Sequence, residues 1–145
     1  MKTVHEVLGH KPSDQVHAIT PIESVFDAIA QMAERQVGAL PVLEDDRLVG
    51  IISERDYARK VILKDKSSKQ TKVSEIMTQS VVTVSSHNTV DECIQLMKMH
   101  HIRHLVVADE GAVTGMLSLR DLFSEIIDEQ AETIDQLEHY IRGDQ

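Results

Sequence analysis

Gly50-Ile-Ile-Ser53-Glu-Arg55-Asp56 recurs as Gly115-Met-Leu-Ser118-Leu-Arg120-Asp121, 65 positions further along a chain of 145 residues. A serine, an arginine and an aspartate at the opening of a helix form a compact polar set. The carboxylate can accept hydroxyl donors, and the serine hydroxyl with the free backbone N–H groups of the helix suits a phosphate. Ser-x-x-Asp is also an ordinary helix N-cap with an acid in the first turn, so one copy alone fits either role. Two copies at one offset put the same chemistry at two symmetric positions, which favours a ligand over two unrelated caps.

The elements that must position these residues repeat with them. Sliding residues 11–62 along by 65 brings Val16 onto Val81, Val25 onto Val90, Ile29 onto Ile94, Met32 onto Met97, Leu40 onto Leu105 and Val42 onto Val107. Each copy opens with a short β-branched run, Val16–Ile19 or Val81–Val84, read as a strand. Thr20-Pro-Ile-Glu23 reads as a capping box with proline at the first helical position. The apolar spacing at Val25, Ile29, Met32 and Ala33, echoed by Val90, Cys93, Ile94 and Met97, predicts a helix with one apolar face. A hairpin follows in both copies, turning at Glu44–Asp46 and at Asp109–Gly111, and the two Ser-x-Arg-Asp segments open second helices. The unit is β-α-β-β-α, twice. Its lead-in is echoed too, since Val4-His-Glu-Val-Leu8 resembles Val73-Ser-Glu-Ile-Met77 at an offset of 69, and both read as short docking helices.

Composition excludes several function classes. Two Tyr, two Phe and no Trp within 41% hydrophobic residues imply an aliphatic core and no stacking platform for single-stranded nucleic acid. A net charge of −9 argues against binding phosphate backbones. Residues 124–145 carry seven acids against Arg142 alone, a net −6. A basic stretch between the copies, Arg59, Lys60, Lys64, Lys66, Lys69 and Lys72 with only Asp65 opposing, reads as a solvated linker. With no apolar run long enough to span a membrane and no signal-peptide core, the expectation is a soluble cytoplasmic protein. The one cysteine, Cys93, lies on an apolar helix face and reads as a core residue. His100, His101 and His104 lack a completing Cys or Glu, so no metal is expected. Ile127, Ile134, Leu137 and Ile141 form a narrow stripe on the acidic tail, which either packs on its own domain or meets a second copy.

The order β-α-β-β-α, the Gly-apolar-apolar-Ser-x-x-Asp endings, the Ile76-Met77-Thr78 entry and the Ala39-Leu40-Pro41-Val42 strand together resemble a tandem pair of cystathionine-β-synthase (CBS) domains, a Bateman module, over about residues 4–127. The resemblance implies an α+β fold of two repeats related by a pseudo-two-fold axis, with a short N-terminal helix and a C-terminal helical extension. The corresponding division is a lead-in at 1–10, repeat 1 at 11–62, a linker at 63–72, repeat 2 at 73–127 and an acidic helix at 128–145. It also implies two clefts between the repeats that take adenosine-bearing ligands such as AMP, ADP, ATP, S-adenosylmethionine or NAD(H). Asp56 and Asp121 would then take the ribose, Ser53 and Ser118 the phosphate, and Arg55 and Arg120 would add charge beside it. Gly50 and Gly115 would relieve crowding.

The resemblance further walls each cleft with the other repeat's entry. The Ser118/Asp121 cleft would gather Lys11, Ser13, Val16 and His17, with Gly38 and Ala39 nearby and Arg103 and His104 from the second repeat. The Ser53/Asp56 cleft would gather Thr78, Ser80, Val81 and Val82, with Val16 and Val81 flanking the adenines. Since Gly38-Ala39 stands where the second copy has Arg103-His104, the Ser118/Asp121 cleft is expected to carry more positive charge and favour the more highly charged phosphate.

Nothing in the chain pairs a nucleophile with a matched base, so no enzyme is expected. The expected function is an adenine-nucleotide-sensing regulatory module in signal transduction, a homodimer acting on a partner protein. The alternative is an adaptor with empty clefts that works through its dimer and its acidic helix.

Overall fold

Two hairpins form the centre of the molecule, each from a β-branched run broken by two residues that tolerate positive φ. The computed structural model describes residues 2–11 and 16–143. In it β1 (Ala39–Glu44) pairs antiparallel with β2 (Arg47–Ser53) across Asp45 and Asp46, at φ 50° and 65°. Likewise β4 (His104–Asp109) pairs with β5 (Ala112–Ser118) across Glu110 and Gly111, at φ 52° and 82°. Such two-residue turns match the twist of the strands they join. The repeat extends to irregularities, because the register shifts at Val42/Leu43 in one hairpin and at Val107/Ala108 in the other.

Around the hairpins lie α1 (Val4–Gly9), α2 (Val25–Arg35), α3 (Glu54–Tyr57) with a π-helical continuation over Ala58–Ile62, α4 (Val73–Ile76), β3 (Thr83–Val84), α5 (Val90–His100) and α6 (Leu119–Ile141). The fold is mixed α+β, with a two-stranded sheet β1-β2 and a three-stranded sheet β3-β4-β5 in which β3 runs parallel to β4. Both α2 and α5 end on a residue in the left-handed conformation, Gln36 and His101.

Two local expectations change. The helix of the first repeat starts at Val25, capped by Ser24, whose hydroxyl accepts from the Asp27 N–H at 3.1 Å. Glu23 instead folds back to accept from the Thr20 N–H and hydroxyl, so Thr20–Glu23 is a closed turn ahead of the helix. Of the expected strand at Val16–Ile19, only Ile19 joins a ladder, through a parallel bridge to Val42. The run is too short to pair further, and its second-copy counterpart forms just the two residues of β3.

The lead-in helices dock crosswise. Val4 and Val7 of α1 are buried in a core with Val84, Cys93, Leu105, Leu117 and Leu122 of the second repeat. Val73 and Ile76 of α4 are buried in a core with Ile19, Val25, Leu40, Ile52 and Val61 of the first. The same hydrogen bonds fix both crossings. Val4 N–H donates to Asn88 O and Val90 N–H to Lys2 O, while Val73 N–H donates to Glu23 O and Val25 N–H to Thr71 O. Each fully buried valine contributes about 1.5–3 kcal/mol, so neither core is complete without the other half's lead-in.

Gly50 and Gly115 make room for these crossings. A Cβ on Gly50 would stand 2.7 Å from Met77 Sδ and 3.0 Å from the Thr78 carbonyl oxygen, and one on Gly115 would stand 3.0 Å from a Leu8 methyl. Where α1 meets α6, Glu125 is buried and holds both flanks of α1, with Lys2 Nζ and His10 Nδ1 each 2.8 Å from its oxygens. Burial alone would raise the Glu125 carboxyl, but the hydrogen bonds and charges of Lys2 and His10 win and hold it below the usual range.

Gly50→Ala should lose about 1–3 kcal/mol of stability because a backbone oxygen cannot yield. Gly115→Ala should be near neutral, since Leu8 can rotate and alanine restricts the unfolded chain; urea denaturation of the two variants reads the difference. Glu125 favours the fold fully above its ordinary value of 4.5, and that contribution is lost as the pH falls through its lower folded value. Thermal melts should therefore show Glu125→Gln less stable than wild type at pH 7, with the gap closing in acid.

Candidate functional site

At the N-termini of α3 and α6 the repeated serine and aspartate cap each other. Asp56 N–H donates to Ser53 Oγ at 3.2 Å while the Ser53 N–H donates to Asp56 Oδ2 at 3.0 Å. Asp121 N–H donates to Ser118 Oγ at 3.1 Å and the Ser118 N–H to Asp121 Oδ2 at 2.8 Å. The ordinary cap is thus formed in both copies, and it fixes each carboxylate at the head of its helix. What distinguishes the copies is the cation each aspartate meets. Lys60, one turn along, lies 3.0 Å from Asp56 Oδ1 and also donates to Ile76 O. Lys11, from the other half's entry, lies 3.0 Å from Asp121 Oδ2 and donates to Met116 O at 2.9 Å.

A cavity of about 270 Å³ opens beside the first cap, a volume near the lower end for small-ligand sites. Ser53, Arg55, Asp56, Thr78, Ser80, Val81 and Val82, gathered in the sequence reading for this cleft, all line it. Gly38, Arg103 and His104 line it as well, on the opposite side of the pseudo-symmetry axis from the expected one. The physical reason is Gly38 itself. With no side chain there, the His104 ring fills the gap, its Cε1 and Nε2 each 3.2 Å from where a Gly38 Cβ would stand. The Asp56 cavity therefore carries two guanidiniums, Arg55 and Arg103, balanced by the carboxylates of Glu54 and Asp56, whereas Lys11 is the formally charged residue lining the other.

The second cavity, about 320 Å³, is lined by Lys11, Val16, His17 and Ala39 as expected for the Asp121 side, and by Leu8, Val37, Leu40, Pro41 and Met116, so its wall is mainly apolar. Ser118, Arg120 and Asp121 are not on that wall; Lys11 stands between Asp121 and the space. Ser13 lies outside the described residues. The reading of the sequence missed Ile51, Glu54, His101 and Ile102 in the first cavity and His5, Leu8, Val37 and Met116 in the second. The 65-residue offset pairs Ile51 with Met116 and Ile102 with Val37, so the repeat carried that signal; His5 and Leu8 arrive only through the crossed docking of α1.

His104 belongs to both sides. Burial lowers the pKa of its imidazole, Lys11 and Arg103 lower it further, and Asp121 opposes them by raising it. Cys93 is buried, and burial pushes its thiol up to about 11, so it is no nucleophile at neutral pH. Among the described residues no three His, Cys, Asp or Glu side chains come together as a metal site.

Comparison with known proteins gives one consistent picture. A family model for the CBS domain matches residues 4–63 and again 73–128. The mitochondrial CBS domain-containing protein CBSX3 of Arabidopsis thaliana is 40% identical over 129 residues, covering 86% of this chain and 63% of its own length, so the chain spans under two thirds of that relative. A solved CBS-domain protein from Burkholderia ambifaria MC40-6 shares 44% identity over 89% of this chain and 96% of its own, with a TM-score of 0.85. CBSX2, solved in complex with AMP, shares 27% identity over 90% of this chain and 99% of its own, with a TM-score of 0.71.

The His104 imidazole, followed by NMR, should titrate below its ordinary 6.5, lower still in Asp121→Asn and higher in Arg103→Ala. Because the folded value is depressed, its contribution to stability is present above 6.5 and is lost as the pH falls through the folded value.

Proposed function

Because this chain belongs to the CBS-domain family, with two copies in tandem, we propose that it is an adenine-nucleotide sensor. It takes AMP, ADP, ATP or NAD(H) between its repeats and regulates a partner protein, as a homodimer in the cytoplasm. The observation that carries this is the convergence of Ser53, Arg55, Asp56, Val81 and Arg103 on one cavity. Its cap fixes Asp56 at the helix head, where the carboxylate can accept ribose hydroxyls in exchange for Lys60, two guanidiniums stand by for phosphate oxygens, and Val81 and Val82 offer an apolar wall to a purine. The AMP complex of CBSX2 supports the choice of ligand. No helix among the described residues is long and apolar enough to cross a membrane.

The two clefts differ in the groups they offer, Arg55 and Arg103 at Asp56 and Lys11 at Asp121. The charged cleft at Asp56 takes the phosphates. A ribose must displace a lysine at either aspartate, Lys60 at Asp56 and Lys11 at Asp121, and the apolar wall beyond Lys11 suits an uncharged moiety. Ligand held by one repeat's cap and the other's entry fastens the halves, which shifts the population toward a tighter pair. That shift is what a partner reads.

A thermal-shift screen with AMP, ADP, ATP, NAD, NADH and S-adenosylmethionine tests the reading. Ligand at 100 times its dissociation constant stabilises by about 2.7 kcal/mol. Asp56→Ala should weaken nucleotide binding about 10-fold or more by calorimetry, the scale of losing hydrogen bonds to a charged group, and Asp121→Ala much less. Equal losses would remove the asymmetry. No shift with any nucleotide would leave the adaptor alternative, which the exposed C-terminal half of α6 favours.

A further inference from the structure

Two surfaces on this chain are exposed, apolar at the centre and opposite in charge. The first is the far half of α6. Leu122 and Glu125 are its buried residues, and every described residue from 128 onward is exposed. Along it Phe123, Ile127, Gln130, Ile134, Leu137 and Ile141 alternate four and three apart, the spacing of a seam that meets another surface. Ile134, Leu137 and Ile141 are 57%, 55% and 80% exposed. From residue 128 to 141 the helix reaches about 20 Å beyond its anchored part. Asp128, Glu129, Glu132, Asp135 and Glu138 flank this seam.

The second surface lies on the first repeat. After the π-helical segment the chain turns back, with Lys66 N–H donating to Val61 O, and runs to the start of α2, where Phe26 N–H donates to Ser68 O. Ile62 and Leu63 at the start of that return and Phe26 at its end are 58%, 75% and 45% exposed, and Lys64, Lys66 and Lys69 lie along it. The Lys69 ammonium sits 5.0 Å from the centre of the Phe26 ring. An exposed apolar centre with a cationic rim suits an amphipathic acidic helix, and the only such helix among the described residues is α6.

Within one chain α6 leaves the body with its far half exposed, so the occupant is a second copy. We propose that the acidic half of α6 in one molecule docks on the Phe26, Ile62 and Leu63 face of another, and reciprocally. The two-fold relation closes the pair with two identical contacts. Charge decides against the simpler alternative of two tails zipped together. Residues 124–145 carry −6 and residues 59–72 carry +5, so tail against tail sets like charges side by side, whereas tail against repeat 1 neutralises them.

This inference rests on the homodimer proposed above and is tested on the full chain by sedimentation equilibrium at low and high salt. Wild type should be a dimer that weakens with salt. Ile134→Asp with Leu137→Asp, and separately Lys64→Glu with Lys66→Glu and Lys69→Glu, should each raise the dissociation constant at least 10-fold while circular dichroism shows the fold intact. Combining the lysine reversals with Glu132→Lys, Asp135→Lys and Glu138→Lys should restore dimers. Mixing a chain carrying Ile62→Cys with one carrying Ile134→Cys should give an inter-chain disulfide on oxidation, with the buried Cys93 silent. A wild-type monomer at all concentrations overturns both the homodimer and this surface. A dimer indifferent to the lysine reversals, or one in which Ile134→Cys links only to itself, overturns this surface alone.

Discussion

The crossed docking of the two lead-in helices is the constraint on which the rest of the structure depends. A repeat of about 50 residues buries too little apolar surface to be stable alone. Here each repeat is completed by a helix belonging to the other, Val4 and Val7 in one direction and Val73 and Ile76 in the other. Two marginal units thereby become one cooperative unit. The same crossing brings Thr78, Ser80, Val81 and Val82 opposite the Asp56 cap and Lys11, Val16 and His17 toward the Asp121 cap, so core and clefts have a common origin. Gly50 and Gly115 belong to that arrangement, since the strands they occupy are the floor over which the other half's lead-in passes.

Duplication made the backbone symmetric, and substitution then made the chemistry asymmetric. Turns, register shifts, left-handed helix ends and capping boxes recur at one offset, because each is a backbone requirement that both copies share. Side chains near the axis escape that requirement. Gly38 opposite Arg103 leaves a gap on one side that His104 fills, and Lys60 and Lys11 neutralise equivalent aspartates from unrelated directions. Both cavities keep the same frame and a largely apolar lining, yet one adds two guanidiniums and two carboxylates and the other a lysine.

Much of this was legible in the sequence because the determinants are local. Hairpins, the α2 and α5 faces and the paired caps follow from periodicity and turn chemistry within a few residues. The start of α2 was misread because Thr20-Pro-Ile-Glu23 and Ser24-x-x-Asp27 are competing caps four residues apart, and the second one won when Glu23 folded back on Thr20. That Arg103 and His104 line the Asp56 cavity was hidden for a different reason. Residues at a symmetry axis are equally near both clefts in sequence terms, and only the volume left by Gly38 decides. Crossing of the lead-ins was equally hidden, since an apolar lead-in pattern fits either core.

The second cap also ties the cleft to the surface. Ser118 and Asp121 head a helix of 23 residues, hydrogen-bonded without interruption to Ile141. Lys11 holds Asp121 at its first turn, Lys2 and His10 hold Glu125 one turn later, and Leu122 between them is buried in the second repeat's core, so the start of α6 is anchored by its own repeat and by the chain leading into repeat 1. A helix moves as a rod over such a length, and a change at its first turns is amplified at its far end. Lys11 is at once part of the second cavity's lining and one of the anchors of α6, the helix that bears the exposed stripe. The second cavity is in this way joined, through Lys11 and Asp121, to the only long exposed helix among the described residues.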